Sequence, residues 1–115
     1  MAYKYEHVEV LRVLDGDTVE LRIDMGNRTQ WVEKFRLYGI DTPEIRGPNK
    51  EAGEAAANRL RELLAGGVTL AETFKPDKYG RTLVSIWIFY NGFPYNAAKV
   101  LISEGHGKEY FGGKK

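Results

Sequence analysis

The 115-residue sequence contains no cysteine. That absence removes disulfides, thiolate metal sites and cysteine nucleophiles together, and it leaves the redox compartment open, because a cysteine-free chain folds in either. Histidine is nearly missing as well. His7 and His106 lie at opposite ends of the chain with no matched ligand nearby, which argues against zinc and against histidine-based catalysis. An excess of either charge is also lacking: seventeen Lys and Arg against sixteen Asp and Glu give a formal net charge of +1. This balance argues against a broad basic face for nucleic acid, so any grip on a polyanion must be local. No run of about eighteen apolar residues exists to cross a membrane, and the polar residues 1–8 lack the apolar stretch of a secretory signal. The expectation is a soluble cytoplasmic protein, or a secreted one if a leader was removed. Phosphate-binding glycine loops followed by Lys, dinucleotide fingerprints and helix-loop-helix calcium loops are absent too.

What is present suffices for a core. With 43% hydrophobic and 12% aromatic residues and no repeat, linker or low-complexity tract, the chain reads as one domain over residues 1–115. Apolar alternation dominates the first forty positions. It slips phase between Val10 and Leu11, which predicts a bulge in a long first strand. Val19, Leu21 and Ile23 then define a second strand with one core face and one wet face. A third, about residues 31–40, carries Phe35 and Leu37 on one side and Val32, Tyr38 and Ile40 on the other, and so looks covered on both faces. Ala52, Ala56, Leu60, Leu63 and Leu64 recur at helical spacing, with Asn49 as a cap and Gly66-Gly67 as the stop. Two further strands, residues 68–74 and 81–90, precede a tight turn at Asn91-Gly92 and a short helix ending at Gly105. Five strands, one helix between the third and fourth, and a terminal helix predict a small closed β-barrel of the oligonucleotide-binding (OB) type, an α+β architecture.

Three clusters can carry chemistry. Asp17 shares the phase of Val19, Leu21 and Ile23, which puts a carboxylate at the mouth of the apolar interior, where it needs a cation or several donors. Taken alone, Asp15-Gly16 also reads as an ordinary hairpin turn. Arg36-Leu37-Tyr38-Gly39-Ile40-Asp41-Thr42-Pro43-Glu44 places an arginine and two carboxylates at a strand end and in a proline-stiffened loop. It reads equally as a proline turn ahead of a helix, with Glu44 solvated. Asp77-Lys78-Tyr79-Gly80-Arg81 puts an arginine in phase with Leu83 and Phe89, suited to a bidentate anion, among residues that are also common in turns. Three carboxylates with two arginines match what phosphodiester hydrolysis requires: a metal, a base and a charge clamp.

The motifs Asp15-Gly16-Asp17-Thr18, Arg36 through Glu44 and Asp77 through Arg81, in that order and spacing, resemble the staphylococcal nuclease (thermonuclease) family over about residues 8–105. The resemblance implies calcium-dependent hydrolysis of DNA and RNA by attack at phosphorus, leaving 3′-phosphate ends. It implies that Asp17 and Asp41 ligate calcium through carboxylates and Thr42 through its carbonyl. Arg36 and Arg81 would hold the scissile phosphate, Glu44 would act as general base on a water, and Lys78 and Tyr79 would contact a terminal phosphate. Two departures stand out. The family's third helix looks absent, and beyond Gly105 only Tyr110 and Phe111 are available to stack on a base. The compact chain with its Gly112-Gly113-Lys114-Lys115 tail is similar to short phage and bacterial members. A monomer acting on single-stranded or frayed DNA and RNA, away from membranes, is the expectation. The rival is a non-catalytic nucleic-acid- or protein-binding module on the same fold.

Overall fold

The computed structural model describes residues 2–112, so the last three residues of the glycine-lysine tail lie outside the described part. Three antiparallel strands open the main sheet: β2 (Val8–Asp15), β3 (Thr18–Gly26) and β4 (Thr29–Leu37), preceded by a short β1 (Tyr3–Tyr5). Alternation decides their faces. Val19, Leu21 and Ile23 are fully buried, and the register of β2 on β3 skips between Val10 and Arg12, which makes Leu11 the bulged residue where the apolar phase slips.

The third strand departs from expectation. Only Phe35, Arg36 and Leu37 are buried in succession, whereas Val32 and Tyr38 are exposed. Strand β7 (Thr82–Tyr90) lies parallel to β4 only at Arg36 and Leu37, and along the rest of β4 the ladder partner among the described residues is β3 alone. The chain then bends at Gly39, whose φ of +87° suits glycine, and β5 (Gly39–Asp41) leaves the main sheet to pair with β9 (Lys108–Tyr110).

Helix α1 (Lys50–Leu64) buries Gly53, Ala56, Ala57, Leu60, Leu63 and Leu64. Two details differ from the sequence reading. Ala52 points to solvent, its expected place taken by Gly53, and Asn49 stands at the N-cap without a side-chain cap bond. A Cβ on Gly53 would lie 2.5 Å from the Glu44 carbonyl oxygen, so only glycine permits this contact between helix and loop. Strand β6 (Val68–Pro76) pairs antiparallel with β7, and the Asn91-Gly92 turn, both residues at positive φ, returns the chain as β8 (Phe93–Asn96). Asn96 caps α2 (Ala97–Ser103) by accepting from the Ala98 and Lys99 N–H groups at 2.9 and 3.3 Å.

The main sheet runs β1-β6-β7-β4-β3-β2, with β8 on β7. Its five long strands have OB-like connectivity, the third pairing in parallel with the fifth. Closure is the correction. Strands β2 and β6 approach each other, but no ladder joins them among the described residues. The end of α1 packs at the gap, where Arg61 donates to the Val13 carbonyl at 3.2 Å. One apolar core, with Phe35, Leu37, Ile40, Leu60, Val84, Ile86 and Leu101 at its centre, binds the strands to both helices. No helix among the described residues is long and apolar enough to cross a membrane.

Candidate active site

The β2–β3 turn carries Asp17 inward, and the surrounding backbone holds it there. Its carbonyl accepts the Leu37 N–H at 2.8 Å, and its carboxylate accepts the Thr18 hydroxyl at 3.0 Å and the Thr42 N–H at 3.1 Å. Gly16 makes room for this arrangement, since a Cβ there would come within 2.6 Å of Ala56 and 2.9 Å of the Thr42 hydroxyl. The carboxylate also receives Arg36, Nη1 to Oδ2 at 3.1 Å, while Nη2 of the same guanidinium approaches Asp41 Oδ1 at 3.4 Å. Arg36 is buried on β4, and its guanidinium lies 5.5 Å from the Tyr110 ring centre. Two carboxylates share one buried cation.

Arg36 also lines a cleft of about 240 Å³ together with Lys78, Tyr79, Arg81, Tyr110 and Phe111. Arg81 lies not on an apolar core face but on the exposed rim, because the core face of β7 belongs to Val84, Ile86 and Ile88. Asp77 takes up its fork, with Nε and Nη2 at 3.0 and 2.9 Å from Oδ2, while Asp77 Oδ1 accepts the Tyr79 and Arg81 N–H groups. Burial alone would push the Asp77 carboxyl up. The two backbone donors and the Arg81 guanidinium outweigh burial and hold it below the ordinary carboxylate value. Tyr79 stacks beneath both cations, 5.4 Å from Lys78 Nζ and 5.5 Å from the Arg81 guanidinium carbon.

Of the residues singled out in the sequence, the fold gathers Arg36, Lys78, Tyr79 and Arg81 on one cleft and sets Asp17, Asp41 and Thr42 around Arg36. Glu44 is not brought to that cleft. It is exposed and borders a separate recess with Leu14, Asp15 and Arg46. Its loop backbone is fixed from both sides, by Ile45 N–H donating to Asp15 Oδ1 at 3.1 Å and by the Gly53 contact. In the sequence, Asp77 is named within its motif without a role and Tyr110 only as a base-stacking aromatic, so neither is paired with its arginine. The Asp-to-Arg spacing of four across a glycine turn could have revealed the first, but a three-residue strand such as β9 leaves no readable period for the second.

These motifs coincide with a sequence relationship. The profile of the family described as staphylococcal nuclease homologue matches residues 34–114. The chain belongs to the staphylococcal nuclease family. It is 39% identical over 95 residues to a thermonuclease of Staphylococcus intermedius, covering 78% of this chain and 54% of that protein. A thermonuclease of Staphylococcus hyicus is 33% identical over 96 residues, with coverages of 79% and 54%. Protein ParB of Escherichia coli is 36% identical over 84 residues, with coverages of 70% and 41%. The chain therefore spans about half the length of the curated relatives it matches. In this member of the staphylococcal nuclease family, the profile takes in Arg36, the Asp41 to Glu44 loop and the Arg81 turn, while Asp17 precedes it.

The donor chemistry suits a hard cation. Asp17, Asp41 and the Thr42 backbone offer only oxygen, the set calcium takes, and among the described residues no group of three or more His, Cys, Asp or Glu forms a tighter cage. The Thr42 hydroxyl is buried against Gly16 and has no hydrogen-bond partner among the described residues. Both carboxylates are engaged by Arg36 in this structure, and it is the oxygen chemistry of Asp17, Asp41 and the Thr42 carbonyl that is compatible with calcium.

Proposed function

We propose that the chain is a calcium-dependent endonuclease that hydrolyses phosphodiester bonds of DNA and RNA and leaves 3′-phosphate ends. The observation that carries this reading is one cleft where Arg36, Arg81 and Lys78 converge beside the Asp17–Asp41 pair. Arg81 grips the phosphate from the exposed rim through its planar fork, exchanging Asp77 for substrate oxygens. Arg36, already fixed by two carboxylates, presents fixed positive charge to the pentacovalent phosphorus without reorganising. Asp17, Asp41 and the Thr42 carbonyl would hold calcium, which when bound neutralises phosphate charge and acidifies water. The base assigned to the attacking water is Glu44, whose exposed side chain borders the neighbouring recess with Leu14, Asp15 and Arg46. Tyr79 and Lys78 seat a neighbouring phosphate.

Single-stranded or frayed substrate is preferred, since a small cleft must admit one phosphate with a base beside it. The protein acts as a monomer. The decisive experiment incubates it with denatured DNA and with closed duplex at one salt concentration, in calcium and then in excess chelator. Cleavage of the denatured strands that stops with chelator and leaves 3′-phosphates is the expected result. Binding without cleavage in calcium would favour the non-catalytic module instead.

A further inference from the structure

A second groove, of about 470 Å³, is lined by Tyr3 and Tyr5 of β1, Trp31 of β4 and Phe74 and Lys75 of β6. It is not isolated from the cleft. Tyr38, which lines the cleft, packs on Phe74 at 4.8 Å between ring centres and on Phe111 at 5.2 Å, and Lys75 and Pro76 lead directly into Asp77. Ring contacts thus join Phe111, Tyr38 and Phe74, and Phe74 borders the groove together with Tyr3, with Tyr3, Tyr38 and Phe111 all exposed. Within it Trp31 rests against Phe35 and Tyr5 and donates its Nε1 to Glu33, leaving ring surface rather than a polar handle to the groove.

We propose that these rings form a path, an extended subsite for single-stranded nucleic acid, holding the nucleotides that flank the phosphate in the cleft. The proposal rests on the nuclease reading and adds a substrate length to it. Continuity with the cleft sets the occupant, and charge sets its orientation. Bases stack on Tyr38, Phe74 and Tyr3, since every base offers a π-face, while phosphates run along Lys75 and Lys78 and away from the Glu33 carboxylate.

The sequence has two tryptophans, so Trp87→Phe leaves Trp31 as the only reporter. In that background, Trp31 emission is titrated with a thymidine dinucleotide and with an oligothymidylate of about eight nucleotides, by stopped flow in calcium before turnover and again in chelator. The expected result is quenching by the longer strand only and, by calorimetric titration of both ligands in chelator, an affinity for it at least about tenfold tighter than for the dinucleotide, one stacked base sufficing for that difference. Lys75→Glu and Tyr3→Ala should each weaken the longer strand about fivefold or more and leave dinucleotide cleavage unchanged. Equal affinity for both lengths with unaltered Trp31 emission would overturn the extended path alone. Binding of neither, with no cleavage, would overturn it together with the nuclease reading.

Discussion

Arg36 and Arg81 carry one charge in opposite settings, and their conservative variants should separate accordingly. At Arg81, 43% exposed and paired to Asp77 at the surface, Lys keeps the charge but loses the fork. Activity should fall by about 2–4 kcal/mol of barrier while stability hardly moves. Arg36 is 5% exposed and spans two carboxylates, so its Lys variant gives up the two-armed contact and should also lose about 1–3 kcal/mol in urea unfolding. Near-parental turnover in a folded Arg81→Lys would remove it from the clamp. Asp77 adds a pH signature. Its folded-state pKa is lowered, so its contribution is complete above the ordinary carboxylate value and is lost as pH falls through the folded one. Asp77→Asn should therefore be less stable than the parent at neutral pH, and the gap should close on acidification; a gap constant down to strong acid would contradict this. Glu44 gives the sharpest catalytic test. Removing the base with Glu44→Gln should cost about 10² to 10⁴ in rate while calcium and nucleotide binding survive, whereas Glu44→Asp should retain part of the activity with a shifted pH profile. If both variants cleave like the parent, Glu44 is only a solvated loop residue.

Between elements, the contact that matters most to the site is Gly53 of α1 against the loop that carries Glu44. Alanine in a helix interior ordinarily gains up to about 1 kcal/mol over glycine. Here its Cβ would meet the Glu44 carbonyl oxygen at 2.5 Å and the Ile45 nitrogen at 2.9 Å, both backbone atoms that cannot step aside. Gly53→Ala should lower thermal stability despite the propensity gain and should reduce turnover by displacing Glu44; a more stable, fully active variant would show that the loop yields freely. This contact was invisible in the sequence. The helical period picked out Ala56, Leu60, Leu63 and Leu64 correctly, but it placed Ala52 where Gly53 sits, because hydropathy ranks alanine above glycine and knows nothing of a carbonyl one element away. The long strands were legible because alternation over eight or nine residues is a strong signal, down to the bulge at Leu11. Strands β1, β5, β8 and β9 were not, since three or four residues hold too little period to read. Their loss from view mattered, because β9 delivers Tyr110 to Arg36.

For the molecule as a whole, charge balance and sheet topology lead to one measurable consequence. The formal net charge of +1 argues against a broad basic face, and the parallel pairing of β4 with β7 brings Arg36 close to the turn that bears Lys78 and Arg81. The cluster's residue types could be chosen from the sequence, but their convergence could not, because it depends on a crossover pairing between residues forty-seven positions apart, Arg36 with Leu83 and Leu37 with Val84. Binding should then be salt-dependent in proportion to the few cations on the path. Counting Arg81, Lys78 and Lys75 as the phosphate contacts, and Arg36 as largely offset by Asp17 and Asp41, the logarithm of affinity for a single strand should fall with the logarithm of monovalent salt at a slope of roughly −2. Lys78→Ala should make that slope shallower by about 0.7, whereas Arg81→Lys should leave it unchanged while losing activity, since a lysine still displaces one counterion. A titration at fixed calcium measures both. A slope of about −5 or steeper would require a phosphate track far wider than this surface supplies, and the local clamp would have to be abandoned for a spread of contacts over the barrel.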